Sequence, residues 1–279
     1  IENPMGHFFE GKTIIITGAS AGVGAACARA FARHKANLVL CARGQAGLDK
    51  ISEELSSQCS VLTVAMDVSD TDQCLALLTK AEDEFGRVDV LINNAGMHHR
   101  GDLEKVKPID VGSMVDINLR APLILSCAAI PFIKKSDGGA IVMVGSLAGM
   151  APLQGAATYS ATKAGLRAFA YALADELKDS EINVGVVSPG PIDTGFIMSE
   201  IDVVEDIVFS QPMSSADGVA DAVLSVARGD KVEIAMPAAS GRLVMLSYLF
   251  PALRRFMRPS LYAKGRKNKD KYRNRSVVD

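Results

Sequence analysis

The 279-residue sequence is 48% hydrophobic and 22% charged, holds 24 glycines, and carries a net charge of −2. These values suit a folded globular protein and exclude collagen-like and broadly disordered classes, and no apolar run reaches the ~18 residues expected of a membrane-spanning helix. The charge is uneven: residues 254–279 contain ten Lys/Arg against two Asp/Glu, leaving twenty against thirty in the first 253. Such an acidic body argues against nucleic acid as the main partner, because much of that affinity comes from phosphate neutralisation.

In chain order, short apolar, β-branched runs stand at 13–16, 38–40, 61–64, 88–92, 141–144 and 184–187, and a further one follows at 232–235. Longer helical stretches separate them, starting with 25–34. Continuous apolar strands alternating with helices specify a parallel sheet covered on both faces. The expected fold is a single doubly wound, Rossmann-type α/β domain with about seven strands flanked by helices. We assign residues 1–236 to this domain, including a strandless, apolar segment at 191–214 that reads as a lid, and 237–279 to an apolar then basic C-terminal extension. The first residue is Ile1, which leaves room for a processed leader. Cys27, Cys41, Cys59, Cys74 and Cys127 are odd in number and widely spaced, so they read as small core residues in a reducing compartment, without a zinc or disulfide pattern.

Directly after the first strand stands Thr17-Gly18-Ala19-Ser20-Ala21-Gly22-Val23-Gly24, opening into a helix. Missing side chains at Gly18, Gly22 and Gly24 allow a tight turn, close approach of a pyrophosphate and close helix–sheet packing, and the helix N-terminus offers free N–H donors. A plain glycine-rich βα turn is the alternative; the strand–loop–helix context favours phosphate binding.

The Gly-x-x-x-Gly-x-Gly spacing, followed in order by Asn93-Asn94-Ala95-Gly96, Asn118, Ser146, Tyr159-x-x-x-Lys163 and Pro189-Gly190, resembles the short-chain dehydrogenase/reductase family over residues 11–236. The resemblance implies a nicotinamide cofactor held by Gly18, Ser20, Gly22, Val23, Gly24, Arg43, Asp67, Val68, Asn94, Ala95, Gly96, Tyr159, Lys163, Pro189, Gly190, Ile192 and Thr194, with Asn93 also near it. Asp67 reads equally as a helix N-cap. Ala42 stands where relatives that use NAD commonly carry Asp, and Arg43 follows; a guanidinium suits a 2′-phosphate, so NADPH is expected over NADH, although Ala21 supplies no second cation.

The same resemblance assigns catalysis to Asn118, Ser146, Tyr159 and Lys163. Tyr159 and Lys163 sit four apart in one helix and project from one face. A phenol near its ordinary ~10 exchanges protons poorly at neutral pH, and a fixed ammonium lowers that value. Tyr159 would give its proton to a carbonyl oxygen during reduction and take it back during oxidation, Ser146 would polarise that oxygen, Lys163 would also hold the ribose, and Asn118 would position a relay water. His98 and His99 read as surface loop residues, and no metal is assigned.

The lid has no basic cluster, and Leu147, Met150, Leu153 and Gln154 offer a mainly apolar wall, so a hydrophobic ketone or alcohol, such as a lipid or steroid, is expected. Two readings stand for the tail: an amphipathic segment on an anionic membrane surface, or an apolar helix completing the core or an oligomer contact before a solvated terminus. The family implies a homodimer or homotetramer, and a cytoplasmic location follows from the thiols. The competing functional class is a catalytically silent nucleotide-sensing or scaffold protein of the same fold; epimerisation is less well served, since little chain remains for a sugar-nucleotide domain.

Overall fold

A computed structural model describes residues 8–274. The chain runs β1 (Thr13–Thr17), α1 (Gly22–Arg33), β2 (Asn37–Ala42), α2 (Gln45–Leu55), β3 (Val61–Ala65), α3 (Thr71–Phe85) and β4 (Val90–Asn93). It continues through α4 (Pro108–Val115), α5 (Ala121–Lys135), β5 (Gly139–Val144), α6 (Ala157–Glu176), β6 (Ile182–Pro189), α7 (Gly195–Met198), α8 (Ala216–Ala227), β7 (Glu233–Met236), α9 (Ala238–Leu249) and α10 (Pro251–Arg273). The seven strands form one sheet in the order β3-β2-β1-β4-β5-β6-β7, and every pairing is parallel.

Alternation along each strand divides the core in two. Ile14, Ile16, Leu38, Leu40, Ile92 and Val142 pack under α1, α2 and α8. Ile15, Val39, Leu91, Ile141, Met143 and Val186 pack under α3, α5 and α6. With side chains buried on both faces, strands must be apolar at every position, which is why their runs were legible. The order of strands reverses between β1 and β4, and the loops leaving these two strands diverge there to open a crevice at the carboxyl edge of the sheet.

Several boundaries differ from expectation. The first helix begins at Gly22 rather than residue 25. The fourth strand begins at Val90 because Asp89, fully buried, uses its carboxylate to accept from the Thr13 backbone N–H at 2.8 Å and from the Arg87 guanidinium at 2.7 Å. Cys27, Cys41 and Cys74 are buried, but Cys127 is exposed on α5, so that thiol is not a core residue. Residues 108–135 form a continuous helical stretch whose mean hydropathy reaches 1.4 over 18 residues, enough by length and composition to cross a membrane and contrary to the sequence reading. Here its Ala121, Leu125, Ala129 and Ile133 are buried against the sheet.

The chain leaves the sheet after β6 and returns before α8, and its two ends are pinned together: Ser214 N–H donates to the Pro191 carbonyl at 2.9 Å, and Asp193 N–H to the Ser214 carbonyl at 3.1 Å. Between them lie α7 and a 3₁₀ turn, Asp206–Ser210, with no strand. The long helix α10 lies on that turn. Its Gly265 allows the approach, since a Cβ there would stand 1.8 Å from the Asp206 carbonyl oxygen. One turn further on, Lys269 is only 5% exposed and donates to the carbonyls of Val204 at 2.6 Å and Asp202 at 3.3 Å and to the Asp206 carboxylate at 3.3 Å. Asn268, Arg266 and Arg273 add bonds to Phe209, Asp206 and Asp202. The basic tail is therefore a strap over an acidic segment, and only part of its charge is left over.

Candidate active site

The crevice at the strand-order reversal opens into a cavity of about 1000 Å³. Its floor begins at the loop after β1. Gly18 has φ +66°, and Gly24 presses on it so closely that a Cβ would meet the Gly18 carbonyl oxygen at 2.1 Å. No side chain caps the N-terminus of α1 and no acid stands in its first turn, so its leading N–H groups are unclaimed and the local field favours an anion. These features fit a dinucleotide pyrophosphate. The loop is fixed from β4: the Thr17 hydroxyl accepts from the N–H groups of Asn94 at 2.9 Å and Ala95 at 3.0 Å, and Asn94 Nδ2 donates to the carbonyls of Thr17 at 2.8 Å and Gly18 at 3.2 Å.

Gly18, Gly22, Val23, Asn94, Ala95, Gly96, Pro189, Gly190, Ile192 and Thr194 line this cavity together with Ser146, Tyr159 and Lys163. Gly24 is buried beneath it. Ser20, Arg43, Asp67 and Val68 lie outside the cavity lining, toward β2 and β3. The Arg43 guanidinium has no ion pair or hydrogen bond among the described residues, and its charge helps hold the Asp67 carboxyl below its usual range, after the larger effect of a hydrogen bond from the Ser69 N–H. Asp67 is not the helix cap. Asp70 takes that place by accepting from Gln73 N–H at 3.1 Å, while Asp67 holds the turn before it. Asn93 also departs from the reading: it is buried and donates to Ser126 Oγ at 3.1 Å, steadying α5 rather than facing the cavity.

Ser146 stands two residues beyond β5, and its Oγ accepts from Ala148 N–H at 3.1 Å. Tyr159 and Lys163 face the same space from α6. Lys163 is buried, donates to the Val144 carbonyl at 2.8 Å, and lies 5.8 Å from the Tyr159 ring centre. Burial pulls the Lys163 ammonium down to about 8. Burial pushes the Tyr159 phenol up from its ordinary value, with a hydrogen bond to Ser146 and the charge of Arg100 working the other way. In the protein alone burial therefore outweighs the groups that favour the phenolate.

Asn118 is fully buried in a π-helical segment, Asp116–Arg120, joining α4 to α5. Its Oδ1 accepts from Met97 N–H at 2.8 Å, and its Nδ2 donates to the Met97 carbonyl at 2.8 Å and to Thr162 at 3.3 Å. Both Nδ2 hydrogens are used while Oδ1 keeps a second lone pair, and the side chain locks the loop after β4 onto α6.

That loop carries two residues the sequence reading missed. His98 is not on the surface: its ring stacks on Tyr159 with centres 4.3 Å apart and planes 15° from parallel. Burial, aided by Arg100 and His99, pulls its imidazole down to about 3, so it is neutral at physiological pH. Arg100 donates to His98 Nδ1 at 2.9 Å, and because a guanidinium only donates, the imidazole proton belongs on Nε2, which is buried and has no partner. Arg100, its side chain 9% exposed, also bonds Glu200 at 2.9 Å and the Phe196 carbonyl at 2.9 Å. A His-x-Arg after the Asn-Asn-Ala-Gly turn was the signal available. Among the expected wall residues, Leu147, Leu153 and Gln154 line the cavity, whereas Met150 lies behind it against Glu233 and Ile234. The wall is completed by residues from α9 and α10.

The short chain dehydrogenase family model matches residues 12–203. The chain is 33% identical over 229 residues to ketoacyl reductase HetN of Nostoc sp. strain PCC 7120, covering 80% of this chain and 78% of that one. It is 36% identical over 186 residues to the 3-oxoacyl-[acyl-carrier-protein] reductase FabG of Escherichia coli K12, covering 67% and 75%. To dehydrogenase/reductase SDR family member 7B of Bos taurus it is 29% identical over 278 residues, covering 95% and 86%. The Gly-rich loop on a free helix end, the Ser146–Tyr159–Lys163 grouping and these matches together make the chain a member of the short-chain dehydrogenase/reductase family, an NAD(P)-dependent oxidoreductase.

Proposed function

We propose that the protein interconverts a ketone and a secondary alcohol on a hydrophobic substrate with NADPH as the preferred cofactor, using Tyr159 as general acid and base. The observation that carries this reading is the common cavity: Ser146, Tyr159 and Lys163 line the same space as Gly18, Gly22 and Thr194. Bound across that crevice, the dihydronicotinamide supplies the hydride. The chain's own residues handle the proton and the orientation. The Ser146 hydroxyl, its oxygen already accepting from Ala148 and its hydrogen within reach of Tyr159, would turn that hydrogen to the substrate oxygen when a carbonyl enters. Tyr159 delivers a proton to that same oxygen, and the Lys163 ammonium beside it stabilises the phenolate left behind. Asn118 is a positioning residue that holds the β4 loop, and through it His98, against Tyr159.

For the cofactor, Gly18, Ser20, Gly22, Val23 and Gly24 would cradle the pyrophosphate, Asp67, Val68, Asn94, Ala95 and Gly96 flank the adenosine and ribose, and Pro189, Gly190, Ile192 and Thr194 border the nicotinamide. The unpaired Arg43 at the end of β2 supports NADPH; Arg43→Asp is expected to reduce the NADPH-over-NADH ratio of kcat/KM at least about tenfold. An unchanged ratio would remove Arg43 from cofactor selection. Residues 191–214 would act as a substrate lid. A homodimer or homotetramer through α5 and α6 is supported by the apolar, half-buried Leu123, Ile130 and Phe132 and the exposed Tyr171.

The enzyme would be cytoplasmic, with peripheral membrane contact supported by the exposed Tyr248, Leu249 and Phe250 where α9 meets α10 and by Phe256, 84% exposed, within α10. Liposome co-sedimentation of wild type and Phe256→Ser tests that contact, and equal pelleting would refute it. The central test is turnover of a panel of ketones and secondary alcohols with each cofactor, followed by nicotinamide absorbance, alongside Tyr159→Phe. NADPH binding without turnover of any ketone, or full activity in Tyr159→Phe, would overturn the assignment.

A further inference from the structure

The cavity lining contains no Asp or Glu, yet it includes six cations: Arg100, Lys163, Arg254, Arg255, Arg258 and Lys264. Two of these are accounted for. Lys163 sits beside Tyr159, and Arg100 is paired with Glu200. The other four all belong to α10, and none of them forms an ion pair among the described residues; Arg258 donates to the Tyr262 hydroxyl at 3.5 Å and lies over its ring, and Tyr262 in turn donates to Glu205 at 3.0 Å. Their neighbours on the same helix behave differently. Arg266, Lys269 and Arg273 are each neutralised by an acid or carbonyl of the 202–206 segment. The helix thus spends its last turns strapping the lid and presents its first turns, unneutralised, to the cavity. Much of the remaining lining is apolar, with Leu153, Phe196, Ile197, Val208 and Val244.

These charges are badly placed for the cofactor. α10 packs on the 206–210 turn and α9, whereas the adenosine end of a dinucleotide at the β1 loop lies toward β2 and β3, on the other side of the strand reversal. The four residues are exposed along the rim of the cavity, where their combined field favours an anion that a substrate can bring.

We propose that the carbonyl substrate is an anionic amphiphile, its apolar chain lying in the cavity and a phosphate- or carboxylate-type group held by Arg254, Arg255, Arg258 and Lys264. This rests on the reductase reading and replaces the uncharged ketone drawn from the sequence. The lid itself has no basic cluster, but the fold brings one to it from 40 to 70 residues further along the chain.

The test uses the full chain saturated with NADP, titrated calorimetrically with decyl phosphate and decanol below their aggregation thresholds, and with inorganic phosphate alone. Decyl phosphate is expected to bind one per chain, at least about tenfold more tightly than decanol, more weakly as salt is added, and in competition with a reducible ketone. Inorganic phosphate alone is expected to bind far more weakly, since it lacks the chain. In Arg254→Gln/Arg258→Gln, checked for folding by its thermal transition, the preference for decyl phosphate should shrink to within about threefold. Equal affinities for the two probes, or a preference untouched by the double substitution, overturns the proposal. So does binding to phosphatidylserine vesicles without binding of monomeric decyl phosphate, which would turn the cations toward a lipid surface instead. If uncharged ketones are reduced while decyl phosphate fails to bind, only this inference falls; if no ketone of either kind is reduced, the reductase reading falls with it.

Discussion

Lys163 offers the sharpest physical test of the site. Among the described residues it is buried without a carboxylate partner and donates to the Val144 carbonyl, and burial pulls its ammonium from 10.5 to about 8. At ~1.4 kcal/mol per pH unit, that difference is ~3 kcal/mol against the folded state wherever the lysine is charged in both states. The direction follows from proton counting. Below about pH 8 the lysine is protonated whether folded or unfolded, and the penalty is complete. Between about 8 and 10.5 the unfolded chain binds the proton and the folded one does not, so stability rises with pH. Urea unfolding of cofactor-free wild type and Lys163→Met across this window isolates the effect, because titrations common to both chains cancel in the difference. Wild type should gain ~3 kcal/mol relative to the variant from the lower to the upper end of the window. Parallel stability curves would refute the reasoning, and with it the idea that the site keeps a destabilising charge at neutral pH beside the proton donor.

Three further outcomes are expected. Glu233 accepts from Arg167 at 2.8 and 2.6 Å, from Tyr171 at 2.8 Å and from Ser188 at 2.8 Å, and these bonds outweigh its burial to hold its carboxyl below the usual range. Glu233→Gln should cost ~2 kcal/mol near neutral pH, a loss that vanishes as acid protonates wild type through its lowered folded value; a pH-independent difference in denaturant unfolding would contradict this. His98→Phe keeps a ring over Tyr159 but removes the Nδ1 acceptor and the Nε2 donor, so kcat/KM should fall about tenfold with no change in the shape of its pH profile around neutrality, since His98 is already neutral there. A wild-type inflection near pH 6.5 that disappears in the variant would show instead that this imidazole titrates. Gly265→Val drives a side chain into the Asp206 carbonyl and should expose the 191–214 segment to limited proteolysis well below the global unfolding transition. Cleavage kinetics equal to wild type would mean that α10 does not secure this segment.

What could be read in advance was whatever repeats locally. Strands buried on both faces must be apolar throughout, so 13–16 or 141–144 announce themselves, and the glycine loop identifies its own turn because Gly18 and Gly24 admit no side chain there. Tyr159 and Lys163 are legible through one helical turn. Long-range encounters were not. Nothing in the local sequence says that His98 would be drawn against Tyr159, since that depends on Asn118 tying Met97 to α6. Asp67 and Asp70 both look like caps until the turn geometry assigns the N–H of Gln73 to Asp70. The basic tail looked solvated because its acidic partners, Asp202, Asp206 and Glu205, lie about 60 residues upstream, a pairing that charge counting along the chain cannot reveal.

The strap of α10 across the 202–210 turn has a corollary. The residues proposed to handle hydride and proton all precede residue 195, while the lining contributed by α9 and α10 follows residue 237. Changes confined to α9 and α10 would therefore alter what is met there and leave the β1–β6 residues untouched, provided that a glycine and a lysine one turn apart still fastened α10 to the 202–206 segment.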